Sequence, residues 1–186
     1  MSKGLTLALF AAFFAVVACS SSDKKAAKAR NPAPCPNVIA LNDAARLIEF
    51  DGDQTIDNVA YTAEIVNVST GCRYFADKPI DADVDIELAF GKGPKGENGQ
   101  KVFSYFVAVT RKGQEVIAKQ NFSIPVDFSD KRVVVALSEE IDKINIPRAT
   151  EQISGANFEI IVGFNLTPRQ TIYNRSGKSL KFPDAK

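Results

Sequence analysis

The sequence predicts an all-β protein, an antiparallel β-sandwich of about eight strands. Three observations lead there. Apolar and polar residues alternate with period two over several stretches, as in PIDADVDIELAF and NFEIIVGFNL. Clusters of turn-forming residues separate these stretches, among them GKGPKGENG, RKG and TPRQ. Helical spacing is confined to two short segments, and no repeat of fixed period is visible.

In chain order, strands are expected at 46–50, 59–68, 80–90, 101–110, 114–124, 131–137, 157–166 and 171–174. Short helical turns are expected at LNDAAR, with Asn42 as a cap, and at LSEEIDKI after Ser138. In 157–166, Phe158, Ile160, Val162, Phe164 and Leu166 share one face. In 80–90, Ala82, Val84, Ile86 and Leu88 do the same, leaving Asp81, Asp83, Asp85 and Glu87 on the other side. The loop 91–100 suggests a hairpin that pairs Leu88 with Phe103, Ile86 with Tyr105 and Val84 with Val107. A turn at Lys112-Gly113 would pair Thr110 with Glu115 and Phe106 with Lys119, lining up Asp85, Phe106 and Lys119 on the outer face. The sandwich is immunoglobulin-like in a loose sense. It lacks the Cys–Trp–Cys pattern, because the chain has no Trp. A β-barrel is the alternative.

The 186 residues suffice for one domain with a sizeable core, and 45% apolar with 24% charged residues is ordinary globular composition. A formal net charge of +1 provides no broad basic field for nucleic acid. The charges are unevenly placed. Of the 23 basic residues five precede Cys35, and of the 22 acidic residues one does, which leaves 18 and 21 in the segment 35–186. Histidine is absent, which removes the commonest general base and metal ligand and argues against an enzyme.

The first residues have the form of an address. Lys3 precedes the apolar run LTLALFAAFFAVVA, which is too short for a permanent membrane helix and suits a signal peptide. The run ends Val16-Val17-Ala18-Cys19, which resembles a bacterial lipobox. That resemblance implies cleavage after Ala18, a diacylglycerol on the Cys19 thiol and an acylated new terminus. Such an anchor is effectively irreversible, at about 0.8 kcal/mol per buried methylene. Ser20, where inner-membrane retention signals place Asp, favours the outer membrane facing the periplasm. The segment 20–34 carries Lys24, Lys25, Lys28 and Arg30 and no large apolar side chain, so it reads as a flexible basic tether. The organisation is therefore signal peptide 1–18, lipidated Cys19 with its tether to 34, and a single domain 35–186.

With Cys19 lipidated, Cys35 and Cys72 form an even pair in an oxidising compartment and are expected to be disulfide-bonded. A redox or metal pair would need a CxxC motif, a His or a third thiol, and with Cys19 lipidated none is left.

Candidate chemistry is sparse. The ladder Asp81, Asp83, Asp85 and Glu87 admits three readings: a cation site, a docking face for protein or glycan, or a solvated face. Residues of one face of a strand stand about 7 Å apart, too far for one cation to be held by all four. DGDQTIDNVAYTAE, residues 51–64, places Asp53, Thr55, Asp57 and Glu64 at calcium-loop positions, but Asn58 stands where the loop needs Gly. A turn leading into a strand fits it better. There is no GxSxG, no phosphate loop and no dinucleotide fingerprint.

CPNVIALNDAARLIEFDG followed by DNVAYTAEIVNVSTGCRY resembles a group of uncharacterised lipoproteins of alphaproteobacteria, through Cys35, Pro36, Asp43, Arg46, Leu47, Ala63, Glu64, Ile65 and Cys72. The resemblance implies location and fold and carries no activity. The expected function is a non-enzymatic, outer-membrane-anchored module that binds or scaffolds an envelope protein or glycan, without cofactor or metal. The alternative is a module for glycan, peptidoglycan fragments or a divalent cation.

Overall fold

The computed structural model describes residues 34–75, 77–112, 114–129 and 132–179. The alternating segments form two four-stranded sheets. Their strands are β1 (Asn37–Ala40), β2 (Arg46–Phe50), β3 (Val59–Arg73), β4 (Ile80–Lys92), β5 (Gln100–Arg111), β6 (Val116–Asp127), β7 (Val134–Ile146) and β8 (Phe158–Phe164). One sheet has the order β1-β8-β5-β6 and the other β2-β3-β4-β7. All pairs are antiparallel except β1 with β8, which run parallel. No pairing joins the two sheets, so the fold is an open β-sandwich and not a closed barrel.

Period two is what fills the space between the sheets. Ala82, Val84, Ile86, Leu88 and Phe90 of β4 are 0–1% exposed, and Phe158, Ile160, Val162 and Phe164 of β8 face them with as little exposure. Phe90 and Phe103 meet between the layers with ring centroids 4.7 Å apart. At about 25 cal/mol per Å² of buried apolar surface, this layer is the main stabilising element of the domain.

The structure corrects the expected β4–β5 hairpin. β4 pairs with β3 and β7, while β5 pairs with β6 and β8. Alternation shows which side chains face the core, but it is the same for strands side by side and strands face to face. The connecting loop decides the matter. Gly93 N–H donates to Ala60 C=O at 2.8 Å and Lys95 N–H to Val59 C=O at 3.0 Å, so the loop folds back over the start of β3. A Cβ on Gly93 would lie 2.3 Å from the Val59 oxygen, and one on Gly96 2.4 Å from that of Ala60. Only glycine lets backbone lie on backbone there.

Register on β5 and β6 also differs from expectation. Thr110 pairs with Val116 instead of Glu115, a shift of one residue at the turn, and a bulge beside Thr110 adds another on β6, so that Phe106 pairs with Asn121 and Lys119 with Ala108. Lys119 still leans over the Phe106 ring at 4.1 Å, but Asp85 lies on the other sheet and is not in that row.

Two local expectations are overturned. The segment after Ser138 is not a helical turn but the second half of β7, drawn into the sheet by pairing with β4. The segment 171–174 is not a strand but part of the helix α1 (Pro168–Arg175). Its start is fixed by a capping box in which Gln170 N–H donates to Thr167 Oγ1 and Thr167 N–H donates to Gln170 Oε1, with Pro at the first turn. The turn at 42–44 exists as a 3-10 helix, capped by Leu41 rather than by the Asn42 side chain.

The Cys35–Cys72 disulfide is formed, with Cα atoms 5.6 Å apart. It ties the start of β1 in one sheet to the end of β3 in the other.

Candidate functional site

The four carboxylates of β4 share the outer face of the β2-β3-β4-β7 sheet, as the alternation requires. They do not converge. Asp81 meets Arg73 Nη2 at 3.4 Å, Asp83 Oδ2 accepts from Gly71 N–H at 3.2 Å, and Asp85 Oδ2 accepts from Ser69 Oγ–H at 3.2 Å. Glu87 lies between Asn67 and Ser138. A Cβ on Gly71 would stand 2.6 Å from Asp83 Oδ2, so the glycine makes room for the carboxylate to lie over β3. Asp81, Asp83 and Asp85 are thus each turned toward a neighbour on β3. Among the described residues no three acidic or cysteine side chains are grouped to hold a metal ion.

Sequence reasoning missed part of this face. β7 adds Glu140, opposite Asp85, and Asp142 in the bulge beside Asp83. They were hidden because SEEIDK reads as a helix when its pairing with β4 is not known. The signal was the continued alternation of Val135, Leu137, Ile141 and Ile144, interrupted once at Lys143, whose φ of 59° marks the bulge.

Residues 51–64 hold no ion-binding loop. They form a turn, the 3-10 helix Ile56–Asn58 and the start of β3, and Glu64 is engaged by Arg46 at 2.9 Å. A groove of about 600 Å³ runs between β2 and α1 and is lined by Ile48, Phe50, Thr167, Arg169 and Tyr173 among others. Glu49 is the sole carboxylate among its described lining residues, and Lys101 binds it at 2.7 Å. No acid–base pair of the kind used in catalysis is assembled there.

Among the described residues one titratable side chain is fully interior. Tyr105 is 0% exposed, stacks on Phe122 at 5.2 Å, and donates its hydroxyl hydrogen to Glu139 Oε2 at 3.4 Å. Burial first, and then the negative charge of Glu139, raises its pKa well above the ordinary tyrosine value. At the end of β6, two hydrogen bonds from Ser129 hold the Asp127 carboxyl below its usual range.

The ends of the sandwich differ. Pro34, the first described residue, lies at the end carrying Cys35–Cys72. There Tyr74 OH donates to Pro34 C=O at 2.8 Å and accepts from Gly155 N–H at 2.8 Å. Arg148 covers the Tyr74 ring at 5.2 Å and donates to Lys78 C=O at 2.8 Å. The opposite, distal end is built from the loops 51–58 and 93–99 with residues 128–129 and 132–133, and exposes Ile56 (70%), Val133 (57%) and Val134 (51%) around a shallow apolar groove. Cys19 and the tether up to residue 33 lie outside the described residues. No helix among the described residues is long and apolar enough to cross a membrane. Comparison with known proteins found no family model that matches the chain, and neither a curated protein nor a solved structure similar to it.

Proposed function

We propose that the protein is a lipid-anchored, non-enzymatic binding or scaffold module on the periplasmic face of the outer membrane. The observation that carries this reading is the polarity of the domain. Pro34, the first described residue after the tether, is fixed at one end of the sandwich, and the exposed apolar side chains Ile56, Val133 and Val134 cluster at the other. A lipid on Cys19 and a fifteen-residue tether, at most about 50 Å long, would hold that distal end near its partner at high effective concentration. The absence of histidine and the dispersed carboxylates favour binding over catalysis.

The test is photocrosslinking in cells from a probe at Ile56, with a probe at Asp85 as comparison. A specific partner captured at Ile56 but not at Asp85 supports the reading; specific capture at Asp85 alone refutes the distal end as the binding surface. Cys19→Ala should move the protein from the membrane fraction to the soluble periplasm.

A further inference from the structure

A sandwich of two open sheets has four edge strands, and three of them are protected against pairing with another chain. β1 is only four residues long. Along β2, side-chain amides of α1 occupy edge carbonyls: Asn174 Nδ2 donates to Arg46 C=O at 2.7 Å and Gln170 Nε2 to Ile48 C=O at 3.2 Å. β6 carries Lys119, a bulge near its start and Pro125 within the strand.

The fourth edge, β7, is protected over half its length. Its second half has Glu139 pointing inward, the charges of Glu140 and Asp142, and the bulge at Lys143. Its first half, Val134 to Ser138, has no charge, no proline and no bulge, and among the described residues nothing pairs with its outer side. The direction of its main-chain groups follows from one hydrogen bond. Lys92 N–H donates to Val133 C=O, so the antiparallel ladder turns the odd residues of β7 toward β4. Val134, Ala136, Ser138 and Glu140 therefore present N–H and C=O groups outward along the edge.

We infer that this half of β7 pairs antiparallel with the same segment of a second copy of the chain, centred on Ala136. The argument for a second copy is self-complementarity. In that register Ala136 meets Ala136 of the other copy, Val134 meets Ser138, and Arg132 meets Glu140. Each of these pairs exchanges main-chain hydrogen bonds, no like charges are opposed, and two opposite-charge pairs form symmetrically. Arg132 is available for this, since its contact with Asp127 is a loose 3.9 Å between exposed groups. The two open sheets become one eight-stranded sheet, and the disulfide ends of the two copies point in opposite directions. This inference does not depend on the proposed function.

Cysteine scanning of the full chain under oxidising conditions tests both the contact and the register. Ala136→Cys should give a disulfide-linked dimer that the unmodified chain does not, because facing Cα atoms in this pair lie about 5.5 Å apart. Val134→Cys and Ser138→Cys should each fail to link with themselves, yet link when the two variants are expressed together. Ala136→Pro removes only an N–H turned away from β4, and should abolish that mixed link while Cys35–Cys72 still forms. Monomeric Ala136→Cys, its attachment to a different protein, equal self-linking at all three positions, or a mixed link that survives Ala136→Pro would each overturn the inference.

Discussion

The two ends of the sandwich use the same device for different ends. At the disulfide end Tyr74 clamps two main-chain groups with its hydroxyl and lies under Arg148. At the distal end Tyr61 does likewise: its hydroxyl donates to Glu97 C=O at 3.1 Å and accepts from Glu97 N–H at 3.0 Å, and Lys101 lies over its ring at 4.8 Å. The difference is in what is clamped. Tyr74 joins residues 34 and 155, whereas Tyr61 fixes a single residue of a single loop. The disulfide then adds a covalent tie at the first of these ends alone. One end is cross-linked across the whole chain, and the other is held locally, which leaves its apolar side chains free to meet a partner.

The largest test of that contrast is removal of the disulfide. Cys35→Ser with Cys72→Ser should cost about 3–4 kcal/mol, since the bond closes a loop with a sequence separation of 37. The midpoint of thermal unfolding should fall by roughly 10 °C. In hydrogen exchange the loss of protection should begin at the disulfide end, and uniform loss would contradict the contrast.

At the distal end, Gly93→Ala forces a Cβ against the Val59 carbonyl and should destabilise by about 1–3 kcal/mol, measured by urea denaturation. Smaller again are the two clamps. Tyr74→Phe and Tyr61→Phe should each cost about 0.5–1.5 kcal/mol. Tyr74→Phe should have the larger effect, because it also strands the N–H of buried Gly155 and loosens two distant segments. A larger loss from Tyr61→Phe would reverse the ranking of the two ends.

The least effect at neutral pH belongs to Tyr105→Phe, in the core between the ends. Its folded-state pKa is raised, so the stability it contributes is complete below about pH 10, where unfolded tyrosine begins to ionise. Above that pH the unfolded chain loses the proton while the folded one keeps it, and stability falls. Tyr105→Phe should therefore show a shallower decline in stability above pH 10 than the parent chain in pH-dependent denaturation.

What could be read from the sequence was inward and outward, not left and right. Alternation placed Val84, Ile86 and Leu88 in the core and the four acids outside, because period two depends on one strand alone. Lateral neighbours depend on loops, and Gly93 and Gly96 reveal their purpose only once the backbone of β3 lies beneath them. SEEIDK and TIYN misled for opposite reasons. In the first, tertiary pairing overrode helical composition; in the second, the Thr167–Gln170 capping box overrode strand propensity. The disulfide was legible because two cysteines allow a single pairing once Cys19 is set aside. The acidic face was legible in its β4 half only, since Glu140 and Asp142 join it through the register of β7.

The Cys35–Cys72 bond also decides how the domain answers a pull. Without it, tension on residue 34 would be resisted first by β1, whose ladder with β8 is four residues long. With it, the force bypasses the chain between the two cysteines and enters β3 at Cys72. β3 lies inside its sheet with partners on both sides, and its ladder with β4 reaches from Tyr61 to Arg73. A pull on residue 34 is then shared over that longer ladder. A bond placed for stability thus also turns the weakest strand into a point that tension never reaches.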